Sequence, residues 1–269
     1  MGLRRLGYKL PIEFEADASL IVQTLQSSKD LEHSLPENVY RAVKKLWAEP
    51  KIQEAYERRS EFHLIDCAKY FLDNLDRLNE NAYCPTVDDV LRARMETVGV
   101  AQIHYSYKDL DFRIFDVGGQ KNERRKWIHL FDNVNALFFL AAISEYDQKM
   151  REDSETNRLH DAIELFSGIG NNSLFSKVQI ILFLNKQDLF AEKILKIPLT
   201  ACFPSYRYKN DFKNASLYIT RKFEKQIKDR TKMIYTHLTT ATDTSQLTFL
   251  MNSIIDFIIA ENFKQTGVL

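Results

Sequence analysis

Three short segments of this chain group residue types that can bind a phosphorylated heterocycle. Asp116-Val117-Gly118-Gly119-Gln120 sits at the end of an alternating apolar pattern. An acid at a strand end can hold Mg2+ through water, and paired glycines let backbone N–H groups approach a phosphate. Gln120 can orient an attacking water; an ordinary Gly-Gly turn reads the same way, and the segment alone does not separate the two. Asn185-Lys186-Gln187-Asp188 follows the apolar run 178–184. Here a carboxylate can accept both N–H groups of a guanine edge, Asn can bond the ring acceptors, and the Lys stem can cover the base. Thr239-Thr240-Ala241-Thr242 follows a further strand pattern, and its backbone N–H groups can meet a carbonyl on the base. Taken singly, each is also readable as a polar strand end.

Strands alternating with helices would position these segments. After Gly99, Ile103, Tyr105 and Tyr107 alternate with polar residues, and Phe112, Ile114 and Asp116 follow a polar turn, which predicts a β-hairpin. Residues 136–143 and 178–184 predict buried strands, with a helix over 153–166 between them. A helix over 212–227, a strand over 233–239 and a last helix capped by Asp243 or Thr244 follow. That alternation predicts a mostly parallel, doubly wound sheet, whose ligands sit at the carboxyl ends of its strands. The first ninety residues show only the helical period. Leu20 to Leu25 lie in one helix, Val39, Val43, Leu46 and Trp47 share a face behind Pro36 in a first turn, and Ile65, Ala68, Phe71, Leu72 and Leu75 repeat it. The expected division is a helical domain over 1–88 and an α/β domain over 89–269.

Composition excludes several classes. Lys plus Arg and Asp plus Glu are both 37, so there is no basic excess to favour nucleic acid. Cys67, Cys84 and Cys202 are odd in number and widely spaced, which fits free intracellular thiols rather than a disulfide framework or a zinc site. The longest apolar run, 136–143, is too short to span a bilayer. No apolar stretch follows Arg4 and Arg5, so the start is not a signal peptide. Leu6 stands where a myristoylation start wants Ser or Thr, so no lipidation site is evident. None of the eight glycines is followed by Lys, so the phosphate-binding pattern G-x-x-x-x-G-K-[ST] is absent from the sequence.

The order of the three segments, each behind a strand, resembles the α subunit of a heterotrimeric G protein, in flavour the inhibitory class. Asp89-Val90-Leu91-Arg92-Ala93-Arg94 is similar to that family's first switch, and residues 116–120 with Glu123-Arg124-Arg125-Lys126-Trp127 to its second. Residues 182–190 resemble the guanine-reading segment, and 234–244 the last base-contacting loop. The resemblance implies a Ras-like GTPase sheet joined to an all-helical domain. It implies Arg94 as a built-in catalytic arginine beside Leu91, Arg92 and Ala93, and Gln120 as the residue placing the hydrolytic water. Thr97 would ligate Mg2+, and Asp116 would hold it through water, next to Val117, Gly118 and Gly119 at the phosphates. Asn185, Lys186, Gln187 and Asp188, with the N–H of Ala241, would select guanine, and Asp66 and Cys67 would meet the nucleotide from the helical side.

The implied ligands are GTP and GDP. The implied partners are a βγ dimer, a seven-helix receptor that takes the C-terminal tail, effectors and GTPase-activating regulators, at the cytoplasmic face of the plasma membrane. The family's N-terminal helix, first strand and phosphate loop have no counterpart in this sequence, which predicts an open slot in the sheet. A second reading follows from that: a nucleotide-deficient module that still engages receptor or regulatory partners. The chain also departs from the family at single positions. Glu96 stands for Lys, Val98 for Thr, Cys67 for Ser and Thr240 for Cys, while Asp161 occupies the place of a Glu that pairs with Arg124. In the tail, Gly267 precedes Val268 and Leu269, and Thr266 replaces the Cys that pertussis toxin modifies.

Overall fold

The computed structural model describes residue 3 and residues 6–27, 35–93, 97–108, 110–124, 127, 134–151 and 153–265. The chain divides into two compact units, Met1–Arg94 and Met95–Leu269. Among the described residues, no helix is long and apolar enough to cross a membrane.

The first unit is helical. Helix α1 spans Glu15–Ser27, α2 Glu37–Trp47, α3 Pro50–Glu57, α4 Ala68–Asp73, α5 Leu75–Leu78 and α6 Val87–Arg92. Phe14, Val39, Ala42, Ala55 and Tyr56 are its buried apolar residues among those described. Lys45 ties α2 to α1 through Asp17 at 2.7 Å. Pro36 is the residue before α2 rather than part of its first turn, whereas Pro50 does occupy the first turn of α3. The single helical period expected from Ile65 to Leu75 is split, because Asn74 leaves helical geometry and turns its amide back onto the Tyr70 carbonyl at 2.8 Å. A capping box between Thr86 and Asp89 starts α6. Asp89 is buried, accepts a bidentate pair from Arg77 at 2.7 Å, and also takes the Tyr70 hydroxyl at 2.7 Å. These bonds tie α6 to α4 and α5 within the first unit.

The second unit holds two sheets. Strands β1 (Val100–Tyr107) and β2 (Leu110–Val117) make the expected hairpin, with Ile103 opposite Ile114 and Tyr105 opposite Phe112. Strands β3 (Ala136–Ala142), β4 (Gln179–Asn185) and β5 (Ile234–Thr239) form a parallel sheet in the order β3-β4-β5. Helices α7 (Arg158–Gly170), α8 (Gln187–Lys193), α9 (Phe212–Glu224) and α10 (Thr244–Gln265) complete it.

Alternation on β4 shows how the layers are built. Ile180, Leu182 and Leu184 enter the larger core with Leu159, Ile163 and Phe166 of α7 and Ile219 and Phe223 of α9. Ile181 and Phe183 face the other way, against Ile254 and Ile258 of α10. Burial on both faces is what a continuous apolar run in a parallel sheet predicts. Phe166 meets Phe139 and Phe223 edge-on, at ring separations of 5.1 and 5.5 Å.

Two expectations are corrected. The helix expected over 153–166 begins only at Arg158; before it, Asp153 accepts the Glu155 N–H and the Thr156 hydroxyl, and Asn157 caps the helix at Leu159 and His160. Strand β3 was expected to be buried throughout, but Leu140 is 61% exposed. Among the described residues β3 pairs with β4 only and β2 with β1 only.

Candidate functional site

The C-terminal end of β2 and the loop after it form one cluster. Thr97 Oγ1 donates to Asp116 Oδ2 at 3.0 Å, joining the two oxygens that the sequence assigned to a magnesium ion. Gly118 is required by space: a Cβ there would lie 2.7 Å from the Thr97 carbonyl oxygen and 2.8 Å from Glu123 Cγ. Gly119 faces open space instead. Glu123 is buried and accepts the Gly99 N–H at 2.8 Å, where Gly99 adopts a left-handed backbone at φ 75°. Both glycine carbonyls are taken by side chains that follow. Trp127 Nε1 donates to the Gly118 oxygen at 2.9 Å, and Arg124 Nε to the Gly119 oxygen at 3.1 Å. Arg124 also donates to Asp161 of α7, with Nη2 2.6 Å from Oδ2, so the pair expected from the resemblance is present with the shorter acid. Val117 ends β2, and Gln120 lies exposed at the head of the turn.

The ends of β4 and β5 form the second cluster. Asn185 Oδ1 accepts the Ala241 N–H at 2.9 Å and the Thr239 hydroxyl at 3.2 Å, so one side chain clamps the two strand ends together. Lys186 adopts a left-handed backbone at φ 61° and ψ 40°, uncommon for a residue with a Cβ. It turns the chain from β4 into α8, placing Asp188 in the first turn of that helix. Thr240 Oγ1 donates to Asp188 Oδ1 at 3.4 Å, and Gln187 reaches Gln246 of α10 at 3.4 Å. Lys186 Nζ lies 3.2 Å from Glu145 Oε1, and Glu145 also pairs with Arg158 at 3.3 Å. Asp243 begins α10 by accepting the Gln246 N–H at 3.1 Å.

The remaining candidates lie in the first unit or outside the described residues. Asp66 and Cys67 are half-buried in the turn before α4, where the Cys67 carbonyl accepts the Phe71 N–H. Leu91 is exposed, Ala93 ends α6, and the Arg92 guanidinium stacks 4.8 Å from the Tyr70 ring. Arg94 and Glu96 lie outside the described residues, as does the tail from Thr266 to Leu269. Three parts of the site were not assigned from sequence: the Glu123 bond to Gly99, the Glu145 link between Lys186 and Arg158, and the Thr240 bond to Asp188. An acid just beyond a strand was the available signal for Glu145.

Thr97 and Asp116 offer hard oxygen donors, the chemistry that suits Mg2+. Among the described residues no group of three or more His, Cys, Asp or Glu side chains could hold a metal. The second cluster brings a carboxylate, an amide and an ammonium stem to adjacent strand ends, with the Ala241 N–H turned onto Asn185 Oδ1, a set suited to reading a purine edge.

Comparison with known proteins gives the same picture. A family described as "G-protein alpha subunit" matches residues 5–258. A "Guanine nucleotide-binding protein G(o) subunit alpha" of Locusta migratoria is 47% identical over 256 residues, covering 95% of this chain and 72% of the relative. A protein of the same name from Caenorhabditis elegans is 46% identical over 254 residues, 94% of this chain and 72% of its own length. The "Guanine nucleotide-binding protein alpha-7 subunit" of Caenorhabditis elegans is 42% identical over 273 residues, covering 100% of this chain and 77% of the relative. The family match over residues 5–258 and a Ras-like α/β unit with incomplete sheets beside a helical unit have one account: the chain belongs to the G-protein α-subunit family.

Proposed function

We propose that this chain is a guanine-nucleotide-binding signalling switch that couples a seven-helix receptor to effectors. The observation that carries the reading is the Asn185 clamp, which brings the acceptor Asp188, the stem of Lys186 and the Ala241 N–H to two adjacent strand ends. Asp188 accepts the two N–H groups of the guanine edge, Asn185 bonds the ring, Lys186 covers it with Gln187 alongside, and Ala241 meets the base carbonyl. Thr97 would ligate Mg2+ and Asp116 would hold it through water, an ion that when bound offsets charge on the phosphates. Val117, Gly118 and Gly119 line the phosphate end, and Gln120 and Arg94 serve hydrolysis of GTP to GDP and phosphate. Leu91, Arg92 and Ala93 form the first switch with Arg94, while Asp66 and Cys67 meet the nucleotide from the helical domain, residues 1–88. The Ras-like domain occupies 89–269. The partners are a βγ dimer, a receptor engaging the C-terminal tail, effectors and GTPase-activating regulators, at the cytoplasmic face of the plasma membrane.

Equilibrium binding of fluorescent GDP, XDP and ADP analogues tests this reading. The chain should favour guanine over both, and Asp188→Asn should shift preference toward xanthine, because an amide can donate to the 2-oxo group that replaces guanine's amine. Equal affinity for guanine and adenine nucleotides would refute it.

A further inference from the structure

Thr240 places a hydroxyl beside the base-reading acid, at a position where the resemblance implies Cys. Its Oγ1 donates to Asp188 Oδ1 at 3.4 Å. The Thr240 end of this contact is set by its backbone. The Thr240 carbonyl accepts the Asp243 N–H at 2.9 Å, and the flanking residues Thr239 and Ala241 are both held by Asn185 Oδ1. A β-branched side chain has few χ1 choices, so fixing the Thr240 backbone also fixes its hydroxyl.

Asp188 has the opposite problem. It is exposed and lies in the first turn of α8. An Asp there can fold back onto the unpaired N–H groups of its own helix start, which withdraws its oxygens from a ligand. A carboxylate has about four acceptor sites, so one bond from Thr240 leaves the others open. A Cys thiol would be a weaker donor at the same place.

We propose that Thr240 is a positioning residue for base specificity. Its hydroxyl holds the Asp188 carboxylate in the rotamer that offers its remaining lone pairs to the N1–H and the exocyclic N–H of guanine. This inference rests on the guanine-reading function proposed above. The device acts chiefly on recognition of the exocyclic amine, because that contact needs the second carboxylate oxygen in place.

The test uses the full chain with Mg2+ and two variants: Thr240→Val, which keeps the shape and removes the donor, and Thr240→Ser, which keeps the donor. GDP and IDP affinities are compared, since inosine lacks the exocyclic amine. Thr240→Val should weaken GDP by about three- to tenfold and IDP by roughly twofold or less, with Thr240→Ser restoring the GDP preference. Three-bond couplings across Asp188 χ1, measured without nucleotide on aspartate-labelled chain, should show one rotamer in wild type and averaging in Thr240→Val. An unchanged GDP-to-IDP ratio in Thr240→Val overturns the proposal, and so does a rotamer-averaged Asp188 in wild type. A locked Asp188 in a wild-type chain with no preference for guanine over adenine nucleotides would instead overturn the guanine reading, and the recognition role with it.

Discussion

Replacing Asn185 by Ala removes the acceptor that joins the ends of β4 and β5, and the structure sets the size of the loss. Thr239 is 3% exposed, and its hydroxyl bonds Asn185 Oδ1. Leaving that buried group without its acceptor costs about 1–3 kcal/mol. The Ala241 N–H is half-buried and can recruit water, so its loss adds about 0.5–1.5 kcal/mol. Together these give roughly 1.5–4.5 kcal/mol, or a fall in Tm of roughly 3–18 °C for a unit of this size. Asn185→Asp separates structure from recognition. It keeps an acceptor for both donors, so stability should stay within about 1 kcal/mol of wild type. It cannot donate to the guanine ring, so nucleotide affinity should still fall. Differential scanning calorimetry reads the first effect and fluorescent GDP binding the second. If Asn185→Ala unfolds within about 0.5 kcal/mol of wild type, the clamp is not what holds the two strand ends together, and the reasoning fails.

Other perturbations probe the loops and the helical unit. Asp161→Ala should destabilise the second unit by about 1–3 kcal/mol in urea and speed amide exchange over 118–124, because Arg124 loses a partner that is only 13% exposed. The Arg77 guanidinium, helped by the Thr86 N–H and the Tyr70 hydroxyl, holds the Asp89 carboxyl well below the usual carboxylate range. A depressed folded value stabilises above the unfolded pKa and is lost as pH falls through the folded one, so the helical unit should weaken below about pH 4. Far-UV circular dichroism of acid unfolding checks this, and Asp89→Asn should remove that component of the acid response. Gln120→Leu should slow GTP hydrolysis in a single-turnover assay while leaving GDP affinity nearly intact, since its proposed work is in the transition state. Parallel losses in both would reassign Gln120 to binding.

Strand-like and helical periods in the sequence were sufficient to place the hairpin from Val100 to Val117, the buried strand ending at Asn185 and, apart from its start, the helix before it. Local patterns of that kind are set by residues close in sequence, as are caps such as Asp243. The order of Asp116 to Gln120, Asn185 to Asp188 and Thr239 to Thr242 was likewise enough to reach the family. Tertiary structure decided what distant residues do to one another. Whether Leu140 is covered depends on what packs over its face of β3, and no property of residues 136–143 encodes that. The placement of α6 in the first unit depends on Arg77 and Tyr70 closing around Asp89. The Asn185 clamp spans more than fifty residues of chain, and the Thr240 bond to Asp188 spans another fifty-two. Hydrogen bonds of that reach exist only after the parallel sheet has set β5 beside β4, so the chemistry of the corner formed by Asn185, Asp188 and Thr240 became visible in three dimensions.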